Sequence, residues 1–181
     1  GLGASGRMGP EVMPAVVRAA LAAEERLSVS EKNVVMASLA QDRRSVDILP
    51  TLDVVAPLLR AFLRDPTPFL RTPRDLAAAT NSCVRLSAHH AGLFQGARDR
   101  ICAALPEMTL EDVSQAAWAL AQAGAAPPKL WEALAEQGNR AAVVAWAAAV
   151  AGAPRDVVRR LVVGSYPGSE EEEHQARVAE R

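Results

Sequence analysis

The sequence predicts an all-α fold, a short α-solenoid of stacked helix–turn–helix repeats. Three observations carry that prediction. Half of the 181 residues are hydrophobic and 37 are alanine, while only 4% are aromatic. Alanine has the best helix propensity and lets backbones approach, whereas a β-sandwich would need more aromatic and β-branched residues. Twelve prolines and eleven glycines are spread along the chain and punctuate it into short helices. Finally, the later helices repeat one another with the period of a helix pair.

The helical domain is expected over residues 10–164, between a flexible Gly-rich leader at 1–9 and a charged tail at 165–181. Pro10 suits a first helical position, and Met13, Val16, Val17, Ala20 and Leu21 follow at helical spacing up to the charged run Glu24-Glu25-Arg26. Ser28 with Glu31 three residues on is a capping box, which starts a helix reaching about Gln41. Asp42-Arg43-Arg44 is a polar break. Leu52, Val55, Leu58, Leu59 and Phe62 then suggest a helix, with a kink expected at Pro57. Asp65–Pro73, "DPTPFLRTP", reads as a loop.

The next two helices look like copies. Thr72 caps one, with Pro73 at its first position and Asp75 in its first turn; Thr109 caps the other, with Glu111 and Asp112 in the first turn and Gly124 as the stop. An offset of 37 residues pairs Thr72 with Thr109, Asp75 with Asp112, Leu76 with Val113, Ala79 with Ala116 and Cys83 with Leu120. It also pairs Phe94 with Trp131 in the following helix, so the register is kept across a helix pair. A third copy, "NRAAVVAWAAAVAG", aligns Trp146 with Trp118 and Gly152 with Gly124 at an offset of 28, and Pro154 opens the last helix. The stretch around residues 30–62 reads as a diverged earlier copy without a fixed register. Such pairs bury their apolar faces by stacking, giving about four helix pairs.

Charge narrows the function classes. The formal net charge is −1, and the tail from Tyr166 to Arg181 carries −3, leaving +2 on residues 1–165. Binding to nucleic acid by bulk charge is therefore not indicated. Eighteen of the twenty basic residues are Arg, which suits forked phosphate contacts and stacking but also follows from a GC-rich coding sequence. Cys83 and Cys102 make no disulfide framework, so a reducing compartment is the default. The longest uncharged apolar run, Ala141–Ala153, is too short to span a membrane and reads as a buried helix.

Gly1, Gly3 and Gly6 in "GLGASGRMG" match the G-x-G-x-x-G dinucleotide fingerprint. That fingerprint needs a strand before it and an acid at the end of a second strand. Leu27–Ser30 is too short and polar for that strand, its serines serve a helix cap, and helix pairs follow instead of βαβ units. The stretch is therefore expected to be a leader that docks on a partner, not a nucleotide site.

With the repeats in hand, "DVSQAAWALAQAG", Asp112–Gly124, resembles the "LANxLWALAKLG" helix of octotricopeptide-type repeats, the repeats of about 38 residues related to those of organellar RAP-domain proteins. "APPKLW", Ala126–Trp131, is similar to the family's Pro-Pro-Pro-Glu-Trp element, with Leu130 intervening and Lys129 in place of the acid. The resemblance spans about residues 72–163 and is strongest over Thr109–Ala135; Asn81 stands where the family has Trp. It implies a nuclear-encoded, non-catalytic protein of the mitochondrion, with the plastid as the other organelle. It further implies an RNA-associated factor or mitochondrial ribosome component, packed among neighbouring proteins of a large assembly.

The candidate RNA-binding residues are of two kinds. Arg85, Gln115 and Gln122 lie at polar positions on the first helix of each repeat, near Ala78 and Ser82 and near Ala119, where a solenoid lines its concave surface. Arg71, Arg74, Arg155, Arg159 and Arg160 are candidates for phosphates. The plain alternative for both sets is a solvated, soluble face. Trp118 and Trp146 are expected in the core; a base-stacking role would need an exposed ring. Cys83, His89, His90 and Cys102 have no common zinc spacing, and His89-His90 read as a helix end before a turn at Ala91-Gly92. No catalytic residue, metal or cofactor is expected. The alternative function is a protein-binding scaffold, or an accessory subunit of a mitochondrial respiratory complex without RNA contact, which the near-neutral charge favours. In the tail, "SEEEEHQARVAER" suits a short helix or a solvated segment facing a basic protein.

Overall fold

The computed structural model describes residues 12–42, 48–137 and 142–165. Among these the chain forms nine α-helices and no strand: α1 Val12–Ala22, α2 Val29–Asp42, α3 Ile48–Phe62, α4 Pro73–Arg85, α5 Ala91–Ala104, α6 Leu110–Gln122, α7 Pro128–Glu136, α8 Ala142–Val150 and α9 Arg155–Ser165. The expected leader at 1–9, the polar break beyond Asp42 and nearly all of the tail lie outside the described residues.

The helix starts follow local chemistry. Ser28 Oγ accepts from the Glu31 backbone N–H at 3.3 Å, and Glu31 accepts from the Ser28 N–H at 2.8 Å, closing the capping box. Thr72 and Thr109 accept from the backbone N–H of Asp75 and Asp112 at 3.1 and 3.2 Å. Asp112 also accepts from the Thr109 N–H at 3.1 Å. One orphan donor at each of these three helix starts is thus satisfied by the same device repeated along the chain.

The helix ends repeat as well. The N–H groups of Ala88, Ala125 and Ala153 donate to the carbonyls of Cys83, Leu120 and Ala148 at 2.8, 2.8 and 3.0 Å. The preceding residues Ser87, Gly124 and Gly152 have φ of 51°, 64° and 74°. These are three Schellman ends, at the offsets of 37 and 28 residues that the sequence copies share. The cap also supplies the missing register for the first copy, because Ser28 and Thr72 place Met36 opposite Thr80 and Leu39 opposite Cys83.

Packing follows the same correspondence. Helix α2 packs on α4, α4 on α6 and α6 on α8; α1 packs on α3, α5 on α7 and α7 on α9. Equivalent positions in the even helices supply one tier of the core with Met36, Thr80, Ala117 and Ala145, and another with Leu39, Cys83, Leu120 and Ala148, all buried. The odd helices answer with Leu93, Leu130 and Val157, then Ala97, Leu134 and Leu161. Thr80 is tolerated there because its hydroxyl donates back to the Leu76 carbonyl at 2.8 Å. Asn33 joins two even helices directly, its Nδ2 donating to Asp75 Oδ1 at 2.8 Å.

Two segments differ from their expected form. Asp65–Pro73, expected as a loop, holds a 3-10 turn at Thr67–Leu70 that packs on α4 and α5 and buries Phe69 and Leu70. Its prolines break the α-helix, while its two large apolar side chains still need cover. Nor do Ala91-Gly92 form a turn. They begin α5, and His90 is its N-cap, with Nδ1 accepting from the Leu93 N–H at 3.1 Å.

Candidate docking surface

The most distinctive surface of the described chain lies on α8. Val143, Trp146 and Val150 are spaced i, i+3, i+7 and stand 38%, 48% and 51% exposed. That spacing places them in one stripe along the helix. Ala142 and Ala149 flank the stripe and are exposed too, and α8 carries no charged residue. The reverse side of α8 is core, with Val144, Ala145, Ala147 and Ala148 buried.

The expectation of a core Trp146 is therefore corrected, for a reason visible in the row. Helix α6 has a neighbour on both sides, α4 and α8, and its Ala121 is buried. The equivalent residue on α8, Ala149, is exposed, because among the described residues no further even helix follows. Trp118, equivalent to Trp146, is half-buried. The Arg85 guanidinium lies 5.3 Å from its ring centroid, a cation–π distance, and Arg85 Nε donates to Asn81 Oδ1 at 3.1 Å. Asn81, Trp118 and Trp146 occupy one equivalent position on three successive helices. The copies in the sequence signalled that correspondence; the exposure of its last member needed the packing.

The other sequence candidates are not brought into one site. Ser82 and Ala119, expected near a lining surface, are buried, since that position turns toward the core in both repeats. Arg85 and Gln115 are half-buried, and Gln115 Nε2 donates to Glu111 on its own helix at 3.0 Å. Gln122 is exposed. Arg71 and Arg74 stand exposed at the start of α4, while Arg155, Arg159 and Arg160 stand exposed on α9, with Asp156 4.0 Å from Arg160. Neither α6 nor α8 contains a basic residue. The tryptophan stripe and the two arginine groups thus belong to different elements.

Cys83 is buried, and loss of solvation pushes its thiol up to about 12; the partly buried Cys102 is shifted the same way. Neither thiol is activated as a nucleophile. Among the described residues no group of three or more His, Cys, Asp or Glu is placed to hold a metal ion, and no helix is long and apolar enough to cross a membrane.

Fold and surface together define an all-α protein of packed helices with an uncharged apolar stripe on α8. The chain matches no described protein family, no curated protein and no solved structure.

Proposed function

We propose that this chain is a non-catalytic helical-repeat scaffold, a short α-solenoid that docks an apolar helix of a partner protein on α8. The observation that carries the reading is the Val143–Trp146–Val150 stripe, flanked by alanines small enough to let a second helix approach. The even helices stack side by side, so the exposed face of α8 is where a further helix would pack. Without charge on α8, the complementary face is apolar as well. About half of Trp146 is exposed. Covering roughly 100 Å² of such a ring is worth about 2.5 kcal/mol at about 25 cal/mol per Å².

The second reading is the RNA-associated or ribosomal protein of a mitochondrion or plastid that the octotricopeptide resemblance implies. The exposed Trp146 ring and the Arg85–Trp118 stack favour it, since aromatic and arginine faces accept bases. The absence of basic residues from α6 and α8 weighs against it, because phosphate neutralisation supplies most affinity for single strands.

Native purification with a photo-crosslinking side chain in place of Trp146 separates the two. The scaffold reading expects a crosslink to a defined protein, a complex that survives high salt, and affinity falling tenfold or more in Trp146→Ala, on the order of the ring's burial. A crosslink to RNA, with binding that collapses between low and moderate salt, would replace it by the second reading.

A further inference from the structure

A second feature lies away from α8. A cleft of about 290 Å³ opens between the C-terminal half of α3 and the connection from α4 to α5. Its floor is apolar: Leu59 of α3 and Leu63, the residue just after that helix, are buried, and Ala88 closes it from the connection. Its rim is made of hydrogen-bond donors. Arg60 is exposed on α3 and has no carboxylate partner among the described residues. Ser87 and His90 face it from the connection. No acidic residue lines the cleft.

Two details show that this rim is built. His90 Nδ1 is committed as an acceptor to the Leu93 N–H, so the neutral ring carries its proton on Nε2 and offers a donor there. Ser87 occupies a left-handed position, φ 51°, where the two equivalent helix ends have Gly124 and Gly152. A non-glycine residue held in that region marks a place where a side chain is kept at a conformational cost. Ser87 lines the cleft from that position.

We propose that this cleft binds a small organic anion, a monocarboxylate with a short apolar body. The carboxylate pairs with Arg60 and accepts from Ser87 Oγ and His90 Nε2, and the apolar body lies on Leu59 and Leu63. A guanidinium fork matches a carboxylate, and the volume is at the small end of ligand sites, which suits a body the size of a medium-chain fatty acid.

The test is titration of the full chain with octanoate, followed by NMR on the methyl groups of Leu59 and Leu63, with octanol and inorganic phosphate as separate probes. Expected is saturable octanoate binding with shifts at both leucines, at least tenfold weaker binding of octanol and of phosphate, and about tenfold weaker octanoate binding in Arg60→Gln. Ser87→Gly suits the left-handed backbone, so it retains the fold, and it weakens octanoate severalfold. Equal binding of octanol, unchanged affinity in Arg60→Gln, phosphate matching octanoate, or no shift at millimolar octanoate would each overturn the proposal.

Discussion

The three Schellman ends allow a stability experiment whose sign changes from one repeat to another. At Gly124, φ is 64° and a Cβ would meet nothing within 4 Å. The cost of Gly124→Ala is therefore conformational and not steric. Holding a non-glycine residue in the left-handed region costs about 1–2 kcal/mol. The stiffer unfolded chain of alanine offsets about 0.4–1 kcal/mol of that. The net is a destabilisation of about 0.5–1 kcal/mol, and Gly152→Ala, with φ of 74° and equally open surroundings, behaves alike. Ser87→Gly is the same exchange reversed, so it stabilises by about 0.5–1 kcal/mol. For a chain of this length, each kcal/mol moves Tm by about 2–4 °C. Urea and thermal unfolding of the three variants measure the shifts. If Gly124→Ala raised Tm, or Ser87→Gly lowered it, the equivalence of these helix ends would be refuted.

Three other outcomes follow from the same geometry. The Ser28 hydroxyl and backbone N–H hold the Glu31 carboxyl below its usual 4.5, so this cap adds stability above that value and loses it as pH falls through the lowered one; in Ser28→Ala, an NMR titration finds Glu31 returned toward 4.5, and an unchanged titration would remove the cap. Asn33→Asp sets a second carboxylate against Asp75 in a partly buried contact, destabilising by about 1–3 kcal/mol at neutral pH, with relief on acidification because repulsion and burial raise the new group's pKa; equal stability at both pH values would sink that account. With a thiol reagent, the native chain labels at Cys102 alone and slowly, whereas Cys83 reacts only on unfolding; rapid native labelling of Cys83 would contradict its burial.

Legibility in the sequence divides by the range of the physics. The caps at Ser28, Thr72 and Thr109 were readable because a short polar side chain bonds a backbone N–H only three residues away, and nothing remote decides it. Gly124 and Gly152 were readable because left-handed backbone leaves few choices of residue. Ser87, at the equivalent place, hid the third end. His90 was obscured for a similar reason, since its capping role depends on which ring nitrogen meets the Leu93 N–H. Phe69 and Leu70 show the opposite limit: their prolines break a helix, yet burial on α4 and α5 keeps the segment ordered around them.

By itself the sequence determined the all-α character, the helix ends marked by Ser28, Thr72, Thr109, Gly124 and Gly152, and the 37- and 28-residue correspondence between copies, all consequences of local hydrogen bonding and of apolar spacing at 3.6 residues per turn. Only the tertiary structure decided what each equivalent position faces. Trp118 and Trp146 are interchangeable in the sequence. One is half-covered and lies beside Arg85; the other stands out on α8, where among the described residues the packed row offers no further helix to bury it. Burial depends on neighbours brought together from far along the chain, and periodicity within one helix cannot say whether such a neighbour exists.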